Sequence, residues 1–171
     1  MQKLLKILRK EIFPISLILI LAFARLIPHP PNFTPIVAIA IMSSYFFRNM
    51  YLSFAVIIIS MLLADVFIGF YNNMFFVYLS LLLITFIFFR ISTKIKLKNL
   101  FIFGFFCSVI FFLISNFGVW ILSGMYEKNL NGLAYCYFLA LPFFVNTVLS
   151  TIIFAYSAFI ANSLFSQKAI L

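Results

Sequence analysis

The sequence predicts an all-α membrane protein: a single transmembrane domain over residues 1–171, a polytopic bundle of six transmembrane helices with both termini in the cytoplasm. Three observations lead to this prediction, namely the composition, the spacing of the apolar runs and the placement of the basic residues. Of 171 residues, 66% are hydrophobic and 9% are charged, whereas a soluble domain carries roughly 25% charged residues. Because so few charges cannot cover a water-facing surface, we expect the chain in a lipid bilayer.

Six apolar runs are candidates to cross the hydrocarbon core, which is about 30 Å thick and needs roughly 17–25 helical residues. They cover approximately residues 11–27, 35–47, 51–69, 74–91, 99–121 and 137–162. The second run is the shortest, which predicts a broken or tilted helix. Only Arg48, Asn49 and Met50 separate it from the third, which predicts a tight hairpin. Pro142 lies inside the sixth run and predicts a kink there.

Most basic residues lie on one side of this six-span arrangement. Four fall near the N-terminus, one between spans two and three, four between spans four and five, and one in the tail. Of the 12 Lys and Arg residues, only Arg25 and Lys128 lie toward the other side. Cytoplasmic loops of membrane proteins carry such an excess, so we place both termini in the cytoplasm. The net charge of +9 therefore reports orientation, and no nucleic-acid partner is expected.

The residues that commonly hold metals are few and scattered. The cysteines, Cys107 and Cys136, form no CxxC motif and no Cys/His cluster, and the single histidine, His29, stands alone in a loop. We therefore expect neither a metal site nor a cofactor. Each cysteine lies in or at the edge of an apolar run, where a free thiol packs as a small hydrophobic side chain.

Polar side chains concentrate on the side opposite the basic residues. That side carries three loops, at 28–35, 70–73 and about 122–136. At 1.5 Å per residue, Asp65 lies roughly 6 Å and Asn146 roughly 14 Å below the outer ends of their spans, and we expect the inner half to be nearly featureless. Pockets between helices often hold small molecules. The candidate ligand-binding residues are therefore Arg25, Asn32, Asp65, Tyr78, Asn116, Trp120, Tyr126 and Asn146.

Arg25 and Asp65 are charges of opposite sign at matching depth, so we expect them to pair or to line one cavity. A charge within a span costs about 2.5–3.5 kcal/mol at the helix centre and normally finds a partner. Both a structural salt bridge and direct ligand contact remain open for this pair. Asn116 and Asn146 could equally be hydrogen-bonding glue between helices, and Trp120 could belong to an interfacial belt.

The end of span one and the first outer loop together read RLIPHPPNFTP over residues 25–35. Its prolines donate no backbone hydrogen bond and bias the chain toward extended conformations. This composition predicts a stiff crossing that loses little entropy when a ligand binds. We interpret the loop as part of a lid or wall, with Arg25 and Asn32 directed at a pocket.

Several motifs in order carry a family resemblance: RLIPHPPNFTPI near the start, LADVFIGF at the end of span three, then SNFGVW, GMY and NGLAYCYFLALPFFVNT. The chain resembles a family of small bacterial six-span membrane proteins of unassigned function. That family is similar to the substrate-binding S components of energy-coupling factor (ECF) vitamin transporters. The resemblance implies a vitamin-like ligand bound under the outer loops and a bacterial inner-membrane location. Its polar positions fall on Arg25, Asn32, Asp65, Asn116, Trp120, Tyr126 and Asn146.

The resemblance also implies an energy-coupling partner. No P-loop of the type GxxxxGK[ST] is present, so any ATP hydrolysis must come from another chain. S components typically dock through small-xxx-small spacing in span one, whereas here that spacing occurs at Ala40/Ser44 and at Ser157/Ala161. This departure leaves the need for a partner module open.

The sequence bears on three classes of function. A micronutrient-binding transport component fits the outer polar cluster. A structural or assembly protein of the cell envelope is the alternative, and it would need no outer pocket. An intramembrane enzyme is not expected, because no GxSxG or HExxH motif and no paired nucleophile and base occur.

Overall fold

The computed structural model describes residues 2–47, 49–91 and 96–168, with side chains described except at 2–11, 13 and 166–168. Six α-helices make up the fold: α1 Gln2–Phe23, α2 Ile36–Phe47, α3 Met50–Ile68, α4 Met74–Ile91, α5 Leu100–Leu122 and α6 Leu130–Lys168. Short 3-10 turns at Ala24–Leu26 and Leu97–Asn99 extend α1 and precede α5. These described ranges contain no strand, so the all-α prediction is confirmed.

Four helical segments have the length and apolar composition needed to cross a membrane. They are Met50–Ile68, Met74–Ile91, Leu97–Leu122 and Leu130–Phe165. Two apolar segments, Pro14–Leu26 and Ile36–Phe47, are shorter. The orientation prediction rests mainly on basic residues outside the described side chains, which are Lys3, Lys6, Arg9, Lys10, Arg48, Lys94 and Lys168.

The short helix α2 is the centre of the bundle. It packs against each of the other five helices, and every residue from Ile36 to Ser44 is buried. A helix that is apolar all round belongs in such an interior position. Because the other five helices surround α2, this helix is buried by protein even though it is short for crossing a bilayer.

Helix α6 extends beyond its predicted bounds of 137–162 at both ends. It has 39 residues and continues through Pro142 without interruption, which corresponds to about 58 Å at 1.5 Å per residue. The side chain of Asn129 caps its start by accepting a hydrogen bond from the Gly132 N–H at 2.8 Å, as N-cap residues do. A Cβ at Gly132 would lie 2.1 Å from the Glu127 carbonyl oxygen, so this tight turn requires glycine.

The end of the bundle away from the three loops is polar inside, so the expectation of a nearly featureless inner half is wrong. The Ser44 hydroxyl donates to the Thr85 carbonyl at 2.7 Å, and the Ser53 hydroxyl donates to the Ser43 carbonyl at 3.2 Å. These bonds join α2 to α4 and to α3. The sequence does not reveal such contacts, because serine and threonine hydroxyls in apolar runs can instead bond to carbonyls of their own helix.

The small-xxx-small pair in α2 serves the same packing. Ala40 and Ser44 are both fully buried, and the Thr85 hydroxyl lies 3.4 Å from the Ala40 carbonyl oxygen. Small residues let helix backbones approach closely. This spacing therefore joins α2 to α4 within the bundle.

Candidate functional site

A cavity of about 630 Å³ lies at the end of the bundle where the loops 27–35, 69–73 and 123–129 are found. Small-molecule pockets typically enclose roughly 300–1,000 Å³. The 3-10 turn after α1, the start of α2, and helices α4, α5 and α6 all contribute to its lining. Four α-helices, this turn and three loops thus converge on one concave site.

The lining combines apolar walls with neutral polar groups. The larger apolar side chains from the helices are Ile36, Val77, Phe111, Val119, Leu139 and Phe143. The amides are Asn32, Asn73 and Asn116, and the hydroxyls are Thr34, Tyr71, Ser115 and Tyr126. Arg25 is the one charged residue among the lining residues described. A mostly apolar pocket with a few convergent polar groups is typical of ligand sites.

Arg25 and Asp65 form the predicted ion pair. Nη2 of Arg25 lies 2.8 Å from Oδ1 of Asp65, and the two side chains are 9% and 0% exposed. The two charges lie close together, but the Arg25 N–H groups are not aligned for a hydrogen bond to Oδ1. This oxygen therefore has no hydrogen-bond donor among the described residues. The hydroxyl of Tyr78 donates to the other oxygen, Oδ2, at 2.8 Å. Asp65 therefore lies behind Arg25, with its charge compensated inside the protein.

Helix ends explain why the two charges stand where they do. Arg25 lies in the last turn after α1, where the helix dipole favours a cation. Asp65 lies in the last turn of α3, which Gly69 closes with φ +100° and an N–H bond to the Asp65 carbonyl. A carboxylate is disfavoured at that end of a helix. Asp65 consequently depends on Arg25 and Tyr78.

Two further neighbours complete the surroundings of Arg25. Its Nη1 donates to Sδ of Met61 at 3.3 Å. Tyr71, in the loop after α3, lines the cavity beside it. Burial first, and the Asp65 carboxylate second, raise the pKa of the Tyr71 phenol to about 12, although Arg25 acts in the opposite direction. Tyr71 is therefore a neutral phenol at physiological pH.

The first loop is fixed along α6. The carbonyl of Pro31 accepts a hydrogen bond from Nδ2 of Asn146 at 2.9 Å, and the ring of Phe33 lies 6.1 Å from that of Phe154. Asn146 is 16 residues beyond Leu130, the first residue of α6, or about 24 Å along the helix. The loop thus forms a wall beside α6.

Asn32 occupies an unusual backbone position in this wall. Its φ is +60°, in the left-handed region that asparagine tolerates better than most residues. A turn next to it is closed by the Phe33 N–H, which donates to the Pro30 carbonyl at 2.9 Å. This conformation brings Asn32 into the cavity lining. His29 is exposed, and its Nδ1 contacts the Pro30 carbonyl oxygen.

Trp120 organises the third loop. Its Nε1 donates to the Glu127 carbonyl at 2.9 Å. Lys128 donates to the carbonyls of Trp120 and Ile121 in the last turn of α5, and its ammonium lies 5.6 Å from the indole centroid. The loop is therefore fastened to the end of α5. Tyr126, within the same loop, lines the cavity.

Asn116 and Cys136 meet where α5 and α6 face each other. The Asn116 amide donates to its own helix, at the Phe112 carbonyl, at 2.8 Å. Sγ of Cys136 lies 3.6 Å from the Asn116 carbonyl oxygen. Both residues line the cavity, although Cys136 is only 1% exposed. Within the described residues, the Asn116 side chain makes no hydrogen bond to another helix.

The predicted site residues fall into two groups. Four of them line the cavity: Arg25, Asn32, Asn116 and Tyr126. Four others support that lining from outside: Asp65 and Tyr78 behind Arg25, Trp120 under the third loop, and Asn146 under the first.

The sequence selection missed other lining residues, notably Tyr71, Asn73, Ser115 and Cys136. Tyr71 and Asn73 lie in a loop that the sequence places on the polar side, so their position in that loop was a signal for both. Ser115 directly precedes Asn116. Cys136 carried no signal beyond its hydrophobic surroundings. Among the described residues, no group of three His, Cys, Asp or Glu side chains could hold a metal ion.

These features define the class of the molecule: an all-α protein of long apolar helices suited to a membrane, with a cavity at one end of the bundle. A family model described as "Family of unknown function (DUF6580)" matches residues 6–170, so the chain belongs to this family. No curated protein and no solved structure matches the chain.

Proposed function

We propose that this protein is the membrane-embedded substrate-binding component of an uptake system for a small, vitamin-like micronutrient, similar to an ECF S component. The observation that carries the proposal is the cavity of about 630 Å³, which is lined by four α-helices, the 3-10 turn after α1 and three loops. Its lining joins apolar side chains to amides and hydroxyls, the combination that gives small-molecule sites both affinity and orientation.

In this proposal all six helices cross the inner membrane of a bacterium, with both termini in the cytoplasm. The basic residues support that orientation through the positive-inside rule. The first loop supports a binding role. Irregular backbone at membrane depth is tolerated only where protein buries it or where it lines a cavity, and Asn146 ties Pro31 well along α6.

The proposed cycle begins with ligand arriving from outside and binding among Asn32, Asn116 and Tyr126. Release inward requires the bundle to rearrange, with a partner that hydrolyses ATP, because the chain carries no P-loop. Ser157 is exposed and Ala161 is half-buried on α6. That pair, unlike Ala40 and Ser44, remains available for close contact with a partner helix.

A thermal-shift screen of the purified protein across a vitamin panel tests the proposal. A true ligand present at 100 times its Kd stabilises the folded state by about 2.7 kcal/mol. Asn32→Gly keeps the backbone freedom that φ +60° requires while removing the amide, so we expect it to abolish the shift. Tyr135→Phe alters an exposed residue outside the cavity lining and should retain it.

The alternative is a structural or assembly role in the cell envelope. An absence of any thermal shift for the wild-type protein across the panel would count against the binding role and favour this alternative. A shift that survives Asn32→Gly would place the ligand outside the proposed cavity.

A further inference from the structure

We propose that the cavity takes an uncharged ligand with adjacent hydrogen-bond donors and acceptors on an apolar, ring-sized frame, such as a heterocyclic amide. The Arg25–Asp65 pair then keeps the cavity wall electrically neutral and does not serve as a receptor for an anion. This inference rests on the proposed binding role and specifies the chemistry of that same site.

The balance of charge at the cavity is the first step. Arg25 is the only lining residue, among those described, that carries a formal charge. The Asp65 carboxylate lies 2.8 Å from its guanidinium and is fully buried. A ligand anion approaching Arg25 would also meet the field of that carboxylate, and the attraction would largely cancel.

The remaining charges near this end lie outside the cavity lining. Lys128 is engaged by the carbonyls at the end of α5. The carboxylate of Glu127 accepts a hydrogen bond from Nδ2 of Asn129 at 2.8 Å. Neither residue supplies a counter-charge for an ionic ligand inside the cavity.

The neutral polar groups define what the ligand must offer. The amides of Asn32, Asn73 and Asn116 each carry N–H donors and an oxygen acceptor, although Asn116 already donates one N–H to the Phe112 carbonyl. Tyr71 adds a phenol, which is protonated at physiological pH. Such paired donors and acceptors match the edge of a lactam, a carboxamide or a nitrogen heterocycle.

The apolar walls define the rest. Phe111 and Phe143 line the cavity from facing helices, and aromatic rings stack well against a flat ligand frame. An ionised group placed among these side chains would lose its hydration without a partner, at high cost. A flat, uncharged frame loses no such hydration.

The thiol of Cys136 provides a test that needs no knowledge of the ligand. Cys136 lines the cavity although it is only 1% exposed, whereas Cys107 is 0% exposed and lies outside the lining. In the full-length Cys107→Ala protein, labelling would be followed with three methanethiosulfonates: methyl (neutral), 2-aminoethyl (cationic) and 2-sulfonatoethyl (anionic). Each rate is divided by the rate with free 2-mercaptoethanol. Cys136→Ser is the control that must abolish labelling.

We expect the neutral reagent to react fastest, and the cationic and anionic reagents to be slowed to a similar extent. Arg25→Gln leaves Asp65 uncompensated and should raise the cation-to-anion rate ratio by about tenfold or more. Asp65→Asn should shift the ratio in the opposite direction. The double variant Arg25→Gln/Asp65→Asn removes both charges and should restore the wild-type ratio, and it keeps the test valid if a single variant folds poorly.

A wild-type preference for the anionic reagent that disappears in Arg25→Gln would overturn the inference, because Arg25 would then act as an anion receptor. Failure of all three reagents to label Cys136 would overturn it as well, since the cavity would be closed to solutes. An anion preference would leave the uptake role standing with an anionic substrate. Conversely, a ligand screen without a hit would count against the uptake role and would leave the relative labelling rates of the three reagents unchanged.

Discussion

The two ends of the bundle use polar residues in opposite ways. At the end away from the three loops, buried hydroxyls such as those of Ser44 and Ser53 are bonded to backbone carbonyls of neighbouring helices. At the loop end, the amides of Asn32 and Asn116 line a cavity. The first arrangement joins helices to one another, and the second places polar side chains at an open cavity. Position in the bundle therefore decides the role more than residue type does, because Asn146 bonds to the first loop whereas Asn116 lines the cavity.

Loss of the Arg25–Asp65 ion pair should have the largest effect on stability, because the pair both stabilises the fold and holds Arg25 in the cavity lining. Arg25→Gln leaves a fully buried carboxylate with only Tyr78 as a partner. Breaking a buried pair in this way costs about 3–5 kcal/mol, so we expect a large fall in the melting temperature in detergent. The double variant Arg25→Gln/Asp65→Asn should recover most of the loss. A double variant as unstable as Arg25→Gln would contradict this account.

Two glycines of α5 provide a matched comparison between the ends. A Cβ at Gly118 would lie 2.5 Å from the ring of Phe76, whereas one at Gly104 would meet Thr151 and Ile152 at 3.5 Å, an ordinary contact. Gly118→Ala should therefore destabilise the protein by about 1–3 kcal/mol. Gly104→Ala should be neutral or stabilise the helix by roughly 0.5–1 kcal/mol. Thermal melting of both variants checks the difference, and equal behaviour would show that α4 and α5 pack differently near the cavity.

A third pair of variants separates packing from binding. Ser44→Ala removes an interhelical hydrogen bond, so we expect a loss of about 0.6–1.7 kcal/mol of stability and unchanged ligand binding. Asn116→Leu replaces a cavity amide with an apolar side chain of similar size. It should abolish ligand binding with little loss of stability. Ligand-induced thermal shifts compared with the melting of the free proteins measure both quantities. Loss of binding in Ser44→Ala at preserved stability would break the distinction.

The smallest expected effect is the pH response of Tyr71. Its pKa is raised from 10.0 to about 12 in the folded state. Its contribution to stability is therefore fully present below pH 10 and is lost as the pH rises toward 12, because only the unfolded chain ionises in that window. Tyr71→Phe should flatten the fall of melting temperature between pH 9.5 and 11.5. Identical slopes for the variant and the wild type would contradict the burial of this phenol.

Much of the fold followed from the sequence because apolar runs and turn residues are local signals. The bounds of α3 and α4 agree with the predicted spans to within a residue. The start of α6 did not, because LNGLAYC reads locally as loop, whereas Asn129 caps it into a helix. Such capping depends on how the third loop folds back, which the pattern of hydrophobic residues does not reveal.

The site was predictable as a region and less so residue by residue. Depth along the spans was enough to pair Arg25 with Asp65, since opposite charges in an apolar setting must meet. It was not enough to distinguish Asn116, which lines the cavity, from Asn146, which holds the first loop. That distinction depends on which side of a helix faces the cavity. A helix that is apolar on all sides gives little sequence information about its rotation in the bundle.

We infer that the cavity holds a small molecule, a claim that native mass spectrometry of the protein purified from its host membrane can test. We expect one bound compound per chain, uncharged and carrying paired donors and acceptors. We also expect Asn116→Leu to lose the compound and Ser44→Ala to keep it. Wild-type protein that carries no compound, and that binds none when a vitamin mixture is supplied, would contradict the claim.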